Sequence, residues 1–408
     1  MNTFRVGKLN TNLLDELLCN IKKKDPSVIV GPKVGEDATV IDFGDKYLIA
    51  TTDPITFTSY RIGWYMVNVN ANDIATMGGV PRWLLASIFL PENKTDSKLV
   101  KEIFHDIEKA ADELGIVLCG GHTEITQGLD RPIVSGHMLG EVDKRKLVEN
   151  SNAKVGDDII LTKGIAIEGM ALLAREKEEE LSGKYGNLFV KKVQNFLHDP
   201  GISVVKEALI ANQAADIHAM HDPTEGGLAT GLFELARVSN TGVIIYEEKI
   251  KCLEETSILC SEYELDPMGV IASGALLIVV DPDDREAVIS KLIQNGIECS
   301  VIGRLTDKED GLKIIVDGEV RELPFFEVDE ITKVISLLNQ HPLDFTPGEK
   351  GVYSNSNYLL LGFIISKITG DSLARFFEEH FFEPLAMTQT RLGTQYAEAN
   401  SYDDLDVT

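Results

Sequence analysis

The sequence predicts an α/β (α+β) protein with two domains of similar size, to which a third segment of different character is joined. Strand-like and helix-like segments alternate from Asp37 to about Val320, a pattern typical of α/β architecture. A polar, glycine-containing stretch at 148–158 interrupts the alternation, and beyond Ile331 aromatic and apolar residues become dense. The expected divisions are 1–150, 151–330 and 336–408.

The bulk composition favours a cytoplasmic globular protein. The chain has 408 residues, 44% of them hydrophobic, which is ordinary for a globular protein of two or three domains. Its formal net charge of -26 argues against nucleic acid or an anionic membrane as a partner. We find no signal-peptide pattern and no run long enough to span a membrane. The five cysteines are odd in number and lack a C-x-x-C pair, so we expect reduced thiols.

The first domain contains several predicted strands and one clear surface helix. The stretch 97–114 is amphipathic, with Ser97 as a plausible N-cap and Gly115 just past its end. The runs that predict strands are rich in Ile, Leu and Val and bounded by Gly or Asp. They are ATVIDF, KYLIATT, LLASIFL, GIVLC and PIVSGHML.

The stretch MVNVNANDIATMGG predicts a second helix, whose apolar stripe contains a carboxylate. Met66, Val69, Asn70, Asp73 and Met77 recur at helical spacing and share one face. Asp73 lies in the middle of that stripe, where it cannot be a cap. Burying a carboxylate is costly unless something pairs with it, so Asp73 is the strongest candidate for a ligand-binding residue.

The second domain continues the alternation of strands and helices. IILTKG predicts a strand, and helices are expected near 166–180, 203–215 and 225–239. The stretch 275–305 predicts a strand–helix–strand unit. Two α/β domains of roughly equal size follow from this pattern.

Further acidic residues follow predicted strands in glycine-rich loops, where α/β proteins bind ligands. Asp37 lies in GPKVGEDATVIDF, Asp53 ends KYLIATTD, Glu124 follows two glycines in VLCGGHTE, and Asp222 lies in AMHDPTEGG. Carboxylates with few His or Cys nearby favour Mg²⁺ or Mn²⁺, and glycine lets backbone N–H groups approach phosphate. Each residue taken singly is also an ordinary cap or turn former, so both interpretations stay open at this point.

Five ordered motifs resemble those of the aminoimidazole ribonucleotide synthetase superfamily. They are GEDATVIDF, TTDP, VNANDIATMGG followed by PRW, GGHTE, and HDPTEGGLATGLFELA. The resemblance covers about residues 5–330. It implies a two-domain fold of that type, a homodimer formed through the sheet of the amino-terminal domain, and a cleft that binds ATP with Mg²⁺ or Mn²⁺.

The resemblance also implies roles for individual residues. The implied metal ligands are Asp37, Asp53, Asp73, Glu124 and Asp222. The implied contacts to ATP and its phosphates come from Gly35, Asp37, Asn70, Asn72, Gly120, Gly121, Thr123 and Thr224. The expected catalytic residues are Asp73, Asp222 and His221. His122 and His221 are also explained as satisfied polar residues beside the glycine loops.

The implied chemistry is phosphoryl transfer from ATP to an acceptor, and the favoured acceptor atom is an amide-type oxygen. DPTEGGLATGLFELA is similar to the motif of the hydrogenase-maturation carbamoyl dehydratase, although that enzyme usually has a basic residue where Glu225 stands. Its substrate-carrying terminal cysteine has no counterpart, because the last cysteine here is Cys299. We expect a hydrogenase-maturation-factor-like enzyme, with a maturation protein as a possible partner. The alternative is a nucleotide-binding assembly factor with little turnover.

The segment 336–408 resembles an internal fragment of a serine hydrolase of the class C β-lactamase and DD-peptidase type. YSN at 353–355 matches the Y-x-N motif of that family. S-x-x-K occurs at 151–154 and 203–206, both within the ATP-binding resemblance, and no K-T-G follows YSN. We therefore expect a non-functional passenger acquired by fusion, and a serine hydrolase only as a remote alternative.

Overall fold

The computed structural model divides the chain into two compact units, Met1–Val328 and Asp329–Thr408. The residues it describes are 13–14, 17–18, 20–21, 25–33, 36–56, 58–324, 326 and 376–382. Of the helices in these ranges, none is both long enough and apolar enough to cross a membrane.

The first unit contains two seven-stranded sheets with helices packed on them, which confirms the expected α/β (α+β) class. One sheet takes its strands from residues 28–143 and the other from residues 158–322. The predicted domain boundary at 150/151 falls between them. Each sheet is mainly antiparallel and contains one parallel pair of strands.

The first sheet is built from seven strands. They are β1 Val28–Val30, β2 Thr39–Phe43, β3 Lys46–Thr51, β4 Pro54–Ile55, β5 Val80–Pro91, β6 Val117–Thr126 and β7 Ile133–Asp143. Their order is β1-β2-β3-β7-β5-β6, with β4 also paired to β7, so β6 is an edge strand. β5 and β6 are parallel, and the other pairs are antiparallel.

The second sheet is built from the remaining strands. They are β8 Asp158–Thr162, β9 Ile217–His221, β10 Gly242–Tyr246, β11 Leu277–Val280, β12 Cys299–Thr306, β13 Leu312–Val316 and β14 Glu319–Glu322. Their order is β14-β13-β10-β12-β8-β11-β9. Every residue of β8 and β11 is buried, as expected for central strands covered on both faces.

The helices whose bounds the structure describes in the first unit are α1 Ile62–Thr76, α2 Ser97–Leu114, α3 Ile167–Glu176, α4 Glu178–Tyr185, α5 Asn187–Gln194, α6 Val205–Ala214, α7 Gly227–Ser239, α8 Glu254–Glu262 and α9 Arg285–Gln294. Most of them lie close to predicted positions, but α5 and α8 were not predicted. The N-cap of α2 is Asp96 and not Ser97, because the Asp96 side chain accepts hydrogen bonds from the N–H groups of Lys98 and Leu99. Gly115 ends α2 in the left-handed conformation, as predicted.

The predicted loop containing Glu124 is in fact part of a strand. The sequence GGHTE continues β6, and Glu124 pairs with Phe89 of β5. Gly121 explains how a glycine-rich run stays in the sheet, since a Cβ atom there would lie 2.0 Å from the carbonyl oxygen of Ala86. Here glycine serves the close approach of two strands and not a turn.

The described part of the second unit is a short helical turn. Phe376 and Phe377 precede a π-helical turn over Glu378–Phe382. The YSN motif at 353–355, on which the hydrolase resemblance depends, lies outside the described residues.

Candidate active site

Asp73 lies in the last turn of α1 and is 7% exposed. Its Oδ2 accepts a hydrogen bond of 2.8 Å from Oγ1 of Thr51, the last residue of β3. Burial raises the pKa of Asp73 well above its usual value, and the neighbouring carboxylates of Asp53, Asp222 and Asp37 raise it further. Asp73, the strongest candidate from the sequence, therefore lies near other carboxylates.

The second sheet brings two more groups to the same place. His221 ends β9, and its Nδ1 lies 3.2 Å from Oδ1 of Asp37. Its Nε2 lies 3.0 Å from Oε2 of Glu234 on α7. One ligand atom from each of Asp37, His221 and Asp222 can be chosen so that all three lie within 4.8 Å of one another. The cluster therefore joins the two sheets of the first unit.

The electrostatics of this cluster are unbalanced. Burial alone would lower the pKa of His221, but Asp37 and Glu234 raise it well above its usual value, which favours the cationic ring. Burial raises the pKa of Asp222 to about 8, and Asp37 adds to the rise while His221 opposes it. The carboxylates outnumber this cation. A site of carboxylate oxygens with surplus negative charge fits Mg²⁺ or Mn²⁺.

Two asparagines of α1 hold the surrounding backbone. Oδ1 of Asn70 accepts from the N–H of Asp53 at 2.9 Å, and its Nδ2 donates to the carbonyl of the same residue at 3.1 Å. Asn72 donates to the carbonyl of Ile202 at 3.0 Å and accepts from the N–H of Val204 at 2.8 Å. Asn70 thus fixes the position of Asp53, while Asn72 ties the second domain to α1.

The predicted residues of β6 lie apart from this cluster. Gly136 of β7 donates to the Asp53 carbonyl, and the register places Gly136 beside Ala86 and Ala86 beside Gly121. Gly121 is thus separated from Asp53 by three strand spacings, one each to Gly136, Ala86 and Gly121, or roughly 14 Å. Glu124 instead bonds to His122 and Thr126 on the exposed edge. The predicted site residues of β6 are Gly120, Gly121, Thr123 and Glu124. At this distance they do not share a metal ion with Asp73 of the same chain.

The other predicted contacts are placed as follows. The half-buried Thr224 accepts hydrogen bonds at its carbonyl from the N–H groups of Gly227 and Ala272, and so joins two loops. Gly35 lies outside the described residues. Pro54, directly after Asp53, begins β4. Proline is compatible with the first position of a strand, because the missing donor is not needed there.

A cavity of about 570 Å³ borders the acidic cluster. Asp37 and Thr51 contribute to its wall, as do the side chains of Lys33, Thr52 and His137. Cationic and hydroxyl groups can contact the phosphates of a nucleoside triphosphate, and the carboxylates beside them can bind its metal ion.

Sequence reasoning missed three residues of this site. Thr51 lies in KYLIATT and bonds to Asp73, but one hydroxyl among strand residues gave no signal. Glu234 lies on α7, 13 residues after His221, and the packing of α7 brings the two side chains together. Glu36 directly precedes Asp37, and burial together with the Asp37 charge raises the pKa of Glu36 to about 7. Its place next to a predicted ligand was a signal that could have been used.

Comparisons with known proteins agree with this geometry. The model for the AIR synthase related protein N-terminal domain matches residues 35–142, and the model for the C-terminal domain matches residues 154–315. A putative hydrogenase expression/formation protein of Methanocaldococcus jannaschii is 31% identical over 330 residues, which cover 78% of this chain and 94% of the relative.

The chain belongs to the AIR synthase related family.

Other members of the AIR synthase related family are similar over most of their length. The thiamine-monophosphate kinase of Pyrococcus horikoshii is 31% identical over 304 residues, covering 71% of this chain and 88% of the relative. The carbamoyl dehydratase HypE of Rhizobium leguminosarum bv. viciae is 28% identical over 282 residues, covering 67% and 77%. These relatives are enzymes by name, and the prediction that this family member is an enzyme is confirmed.

Solved structures confirm the predicted AIR synthase-type fold. A HypE–HypF complex gives a TM-score of 0.60 at 24% identity, covering 71% of this chain and 93% of the matched chain. The hydrogenase maturation protein HypE in complex with ATP gives a TM-score of 0.59 at 23% identity, covering 77% and 90%.

The carboxy-terminal segment has its own match. A beta-lactamase model matches residues 313–406, which confirms the resemblance of the tail to a part of that family. The match begins within β13, so it overlaps the end of the AIR synthase match by a few residues.

Proposed function

We propose that this protein is a Mg²⁺- or Mn²⁺-dependent enzyme that transfers a phosphoryl group from ATP to an amide-type oxygen of a small or protein-borne acceptor. The observation that carries the proposal is that Asp37, Asp73 and Asp222, which are far apart in the sequence, lie near one another in one largely buried cluster. Phosphoryl transfer depends mostly on positioning and charge neutralisation, so it needs few reactive side chains. The cluster, with its carboxylates and single histidine, has that character.

Each residue of the cluster has a distinct role in the proposal. Asp37, Asp73 and Asp222, supported by Asp53, hold the metal ion, which when bound neutralises phosphate charge. His221 is held between two carboxylates and orients Asp37. The bordering cavity of about 570 Å³ receives the nucleotide. Glu124 stays a predicted metal ligand, and Gly120, Gly121 and Thr123 stay predicted contacts to ATP. Because β6 lies apart from Asp73 within one chain, these roles require a more distant part of the nucleotide or a second chain.

The names of the relatives support this choice of chemistry. A kinase and a carbamoyl dehydratase are similar to this chain over 71% and 67% of its length. A structure of similar fold was solved with ATP. Hydrogenase-maturation names recur among the relatives, and the HypE–HypF complex supports a maturation protein as a partner. A cytoplasmic location stays a prediction from the sequence.

Calorimetry of ATP binding tests the proposal. Wild-type protein should bind ATP with Mg²⁺ and lose that binding in EDTA. Asp73→Asn keeps the size of the side chain but removes a charge, and we expect at least tenfold weaker metal-dependent binding, about 1.4 kcal/mol. Glu102→Gln, on the exposed face of α2, is the matched control and should bind like wild type. Full affinity in EDTA, or wild-type affinity in Asp73→Asn, would contradict the proposal.

A nucleotide-binding assembly factor is the second candidate function. The same cluster would then bind ATP as a conformational ligand with little turnover. Steady release of ADP, or a phosphorylated product, distinguishes the enzyme from the assembly factor. The exposed position of β6 favours neither candidate.

We also propose that the protein is a homodimer. Large apolar side chains are exposed on the neighbouring strands β5 and β6, namely Trp83, Leu85, Val117 and Ile125. An edge strand with exposed apolar residues is a surface that pairing with a second copy would cover. The strands near 37–53 and 84–90 are the predicted interface region. A strictly monomeric mass by light scattering at micromolar concentration, with ATP binding intact, would contradict the dimer.

A further inference from the structure

His221 has a fixed position at the end of β9. Its backbone pairs with Leu277 of β11, a strand in which every residue is buried. The His221 side chain is 8% exposed, and Asp222 follows it directly in the chain. Because the sheet holds the backbone, only rotation about the side-chain bonds can move the imidazole ring. The contacts of its two nitrogen atoms therefore decide how the ring acts in the candidate active site.

Glu234 on α7 holds one of these nitrogen atoms. α7 packs closely on the chain that follows His221, since a Cβ atom added to Gly231 would lie 2.9 Å from Cβ of Pro223. Glu234 comes three residues after Gly231 and lies on the same face of the helix. Its Oε2 lies 3.0 Å from Nε2 of His221. An ionised carboxylate only accepts hydrogen bonds, so the N–H at Nε2 donates and Glu234 fixes the orientation of the ring.

The other nitrogen of the ring faces the proposed metal site. Nδ1 lies 3.2 Å from Oδ1 and 3.4 Å from Oδ2 of Asp37, which also lines the cavity of about 570 Å³. One ligand atom from each of Asp37, His221 and Asp222 lies within 4.8 Å of the others. In an octahedral site with bonds of about 2.1 Å, neighbouring ligand atoms are roughly 3 Å apart and opposite ones roughly 4.2 Å apart. The spacing of Nδ1 and Oδ1 is therefore that of two neighbouring ligands of one ion.

The order Glu234, His221, Asp37 is typical of a histidine that binds metal. Such a histidine binds the ion through one nitrogen and usually donates the N–H of the other nitrogen to a carboxylate, which fixes the ring and its tautomer. Glu234 has the place of that outer carboxylate. Without metal, a proton on Nδ1 satisfies Asp37. A divalent ion bound between Nδ1 and Asp37 takes the place of this proton, which passes to solvent, and brings more positive charge to the carboxylates.

We propose that Nδ1 of His221 is a nitrogen ligand of the metal ion at Asp37 and Asp222, and that Glu234 positions His221 for this role. The inference rests on the proposed function, because it assigns a further ligand to that same metal site. Mg²⁺ is bound almost entirely through oxygen, whereas first-row transition ions also bind at sites with nitrogen ligands. Of the two ions that the sequence left open, the nitrogen ligand therefore favours Mn²⁺.

Pulsed electron paramagnetic resonance of Mn²⁺ bound to the full-length protein tests the inference. Wild-type protein is prepared with ordinary histidine and with histidine labelled by the heavier nitrogen isotope. We expect spin-echo modulation from nitrogen bound to Mn²⁺, with a frequency that changes with the label; this part of the test needs no variant. The modulation should be lost in His221→Gln and kept in His137→Gln, which alters the histidine lining the neighbouring cavity. Bound Mn²⁺ without histidine modulation, or modulation lost only in His137→Gln, would overturn the inference.

The ratio of metal affinities tests the role of Glu234. Mn²⁺ affinity is measured by titration, and Mg²⁺ affinity by its displacement of Mn²⁺. In His221→Gln and in Glu234→Gln the ratio of Mn²⁺ to Mg²⁺ affinity should fall at least threefold, because loss of an outer carboxylate weakens the histidine ligand. A change in general charge alone would weaken both ions together and leave the ratio unchanged.

Glu225→Gln is the matched control for charge. It removes a carboxylate three residues after Asp222 that forms no described contact with His221, so the wild-type ratio should be kept. An unchanged ratio in Glu234→Gln, or an equal fall in Glu225→Gln, would overturn the inference. Absence of bound Mn²⁺ in wild-type protein, even with the ATP analogue AMPPCP, would contradict the proposed function itself, so the two failures are distinguishable.

Discussion

The acidic cluster and a second buried region differ in the balance between their acidic and basic side chains. In the cluster, several aspartates lie near a single histidine, and burial together with the neighbouring carboxylates raises the pKa values of Asp73 and Asp222. In the other region, the Lys163 Nζ lies 2.6 Å from Oε1 of Glu207, with 9% and 4% of the side chains exposed. Lys163 also donates to the carbonyls of Gly201 and Ser203. In one region acidic groups are in excess, and in the other a buried carboxylate is paired with a buried cation.

This difference separates a candidate active site from a structural contact. The Lys163–Glu207 pair borders the larger cavity, about 810 Å³, whereas the cluster borders the smaller one, about 570 Å³. Volume alone would favour the larger cavity as the binding site. Its charged groups, however, are largely paired with one another, as in Lys192 with Glu255 and Lys251 with Glu298. Unbalanced charge, and not size, identifies the site that needs a ligand.

The largest expected effect is on the balanced pair. Lys163→Met should lower the free energy of unfolding by about 3–5 kcal/mol, because it leaves the buried Glu207 carboxylate without its cation. Urea denaturation followed by circular dichroism measures this change. Lys206→Met, at an exposed lysine of the neighbouring α6, is the control and should change stability by less than about 0.5 kcal/mol. Equal effects of the two substitutions would remove the contrast between the regions.

The next effect is the pH dependence of the metal-free protein. The pKa of Asp222 is raised to about 8 in the folded state, so between its ordinary value near 4 and pH 8 the folded state binds more protons than the unfolded state. Stability should therefore fall as pH rises through this range, by more than about 1.4 kcal/mol. The raised pKa of His221 acts in the same direction above its ordinary value.

Thermal unfolding between pH 5 and pH 9 in EDTA checks this slope. Mg²⁺ or Mn²⁺ should raise the melting temperature most at the alkaline end, where the carboxylates are ionised. Asp222→Asn should flatten the slope and weaken the metal effect. A stability that rises with pH over this range in the absence of metal would contradict the electrostatic description of the cluster.

A smaller effect is expected from removing charge at the cluster. Asp73→Asn should raise the free energy of unfolding of the metal-free protein by about 1 kcal/mol at pH 8, because it relieves repulsion among the carboxylates. The same substitution should weaken ATP binding, so stability and binding move in opposite directions. A loss of stability as large as that of Lys163→Met would show that Asp73 is structural.

The smallest effect is expected from the carboxy-terminal segment. Truncation after Val334 should leave ATP affinity unchanged and solubility equal or better, because the segment resembles only a part of a serine hydrolase. A fragment of about 70 residues buries only part of its apolar surface. If truncation abolishes ATP binding or unfolds the first unit, the segment is an integral part of the protein.

The sequence predicted most of the secondary structure but fewer of the contacts between helices and strands. Periodicity placed α1 and α2, and the carboxylate of Asp73 in an otherwise apolar helical stripe indicated the site. GGHTE was predicted as a loop, because glycine usually interrupts a strand; only the approach of Gly121 to Ala86 explains why it does not. The pairing of His221 with Glu234 depends on how α7 packs. Contacts between elements are set by tertiary packing, which local patterns do not contain.

The most direct test of the account is a Mn²⁺ titration of the full-length protein followed by electron paramagnetic resonance without nucleotide. This measurement counts free Mn²⁺ and so reports the protein's own ligands. The account predicts a class of bound Mn²⁺ in wild type and in Glu102→Gln that weakens at least tenfold in Asp37→Asn and in Asp222→Asn. Equal binding by wild type and both aspartate variants, or no binding by wild type even when AMPPCP is added, would contradict the account.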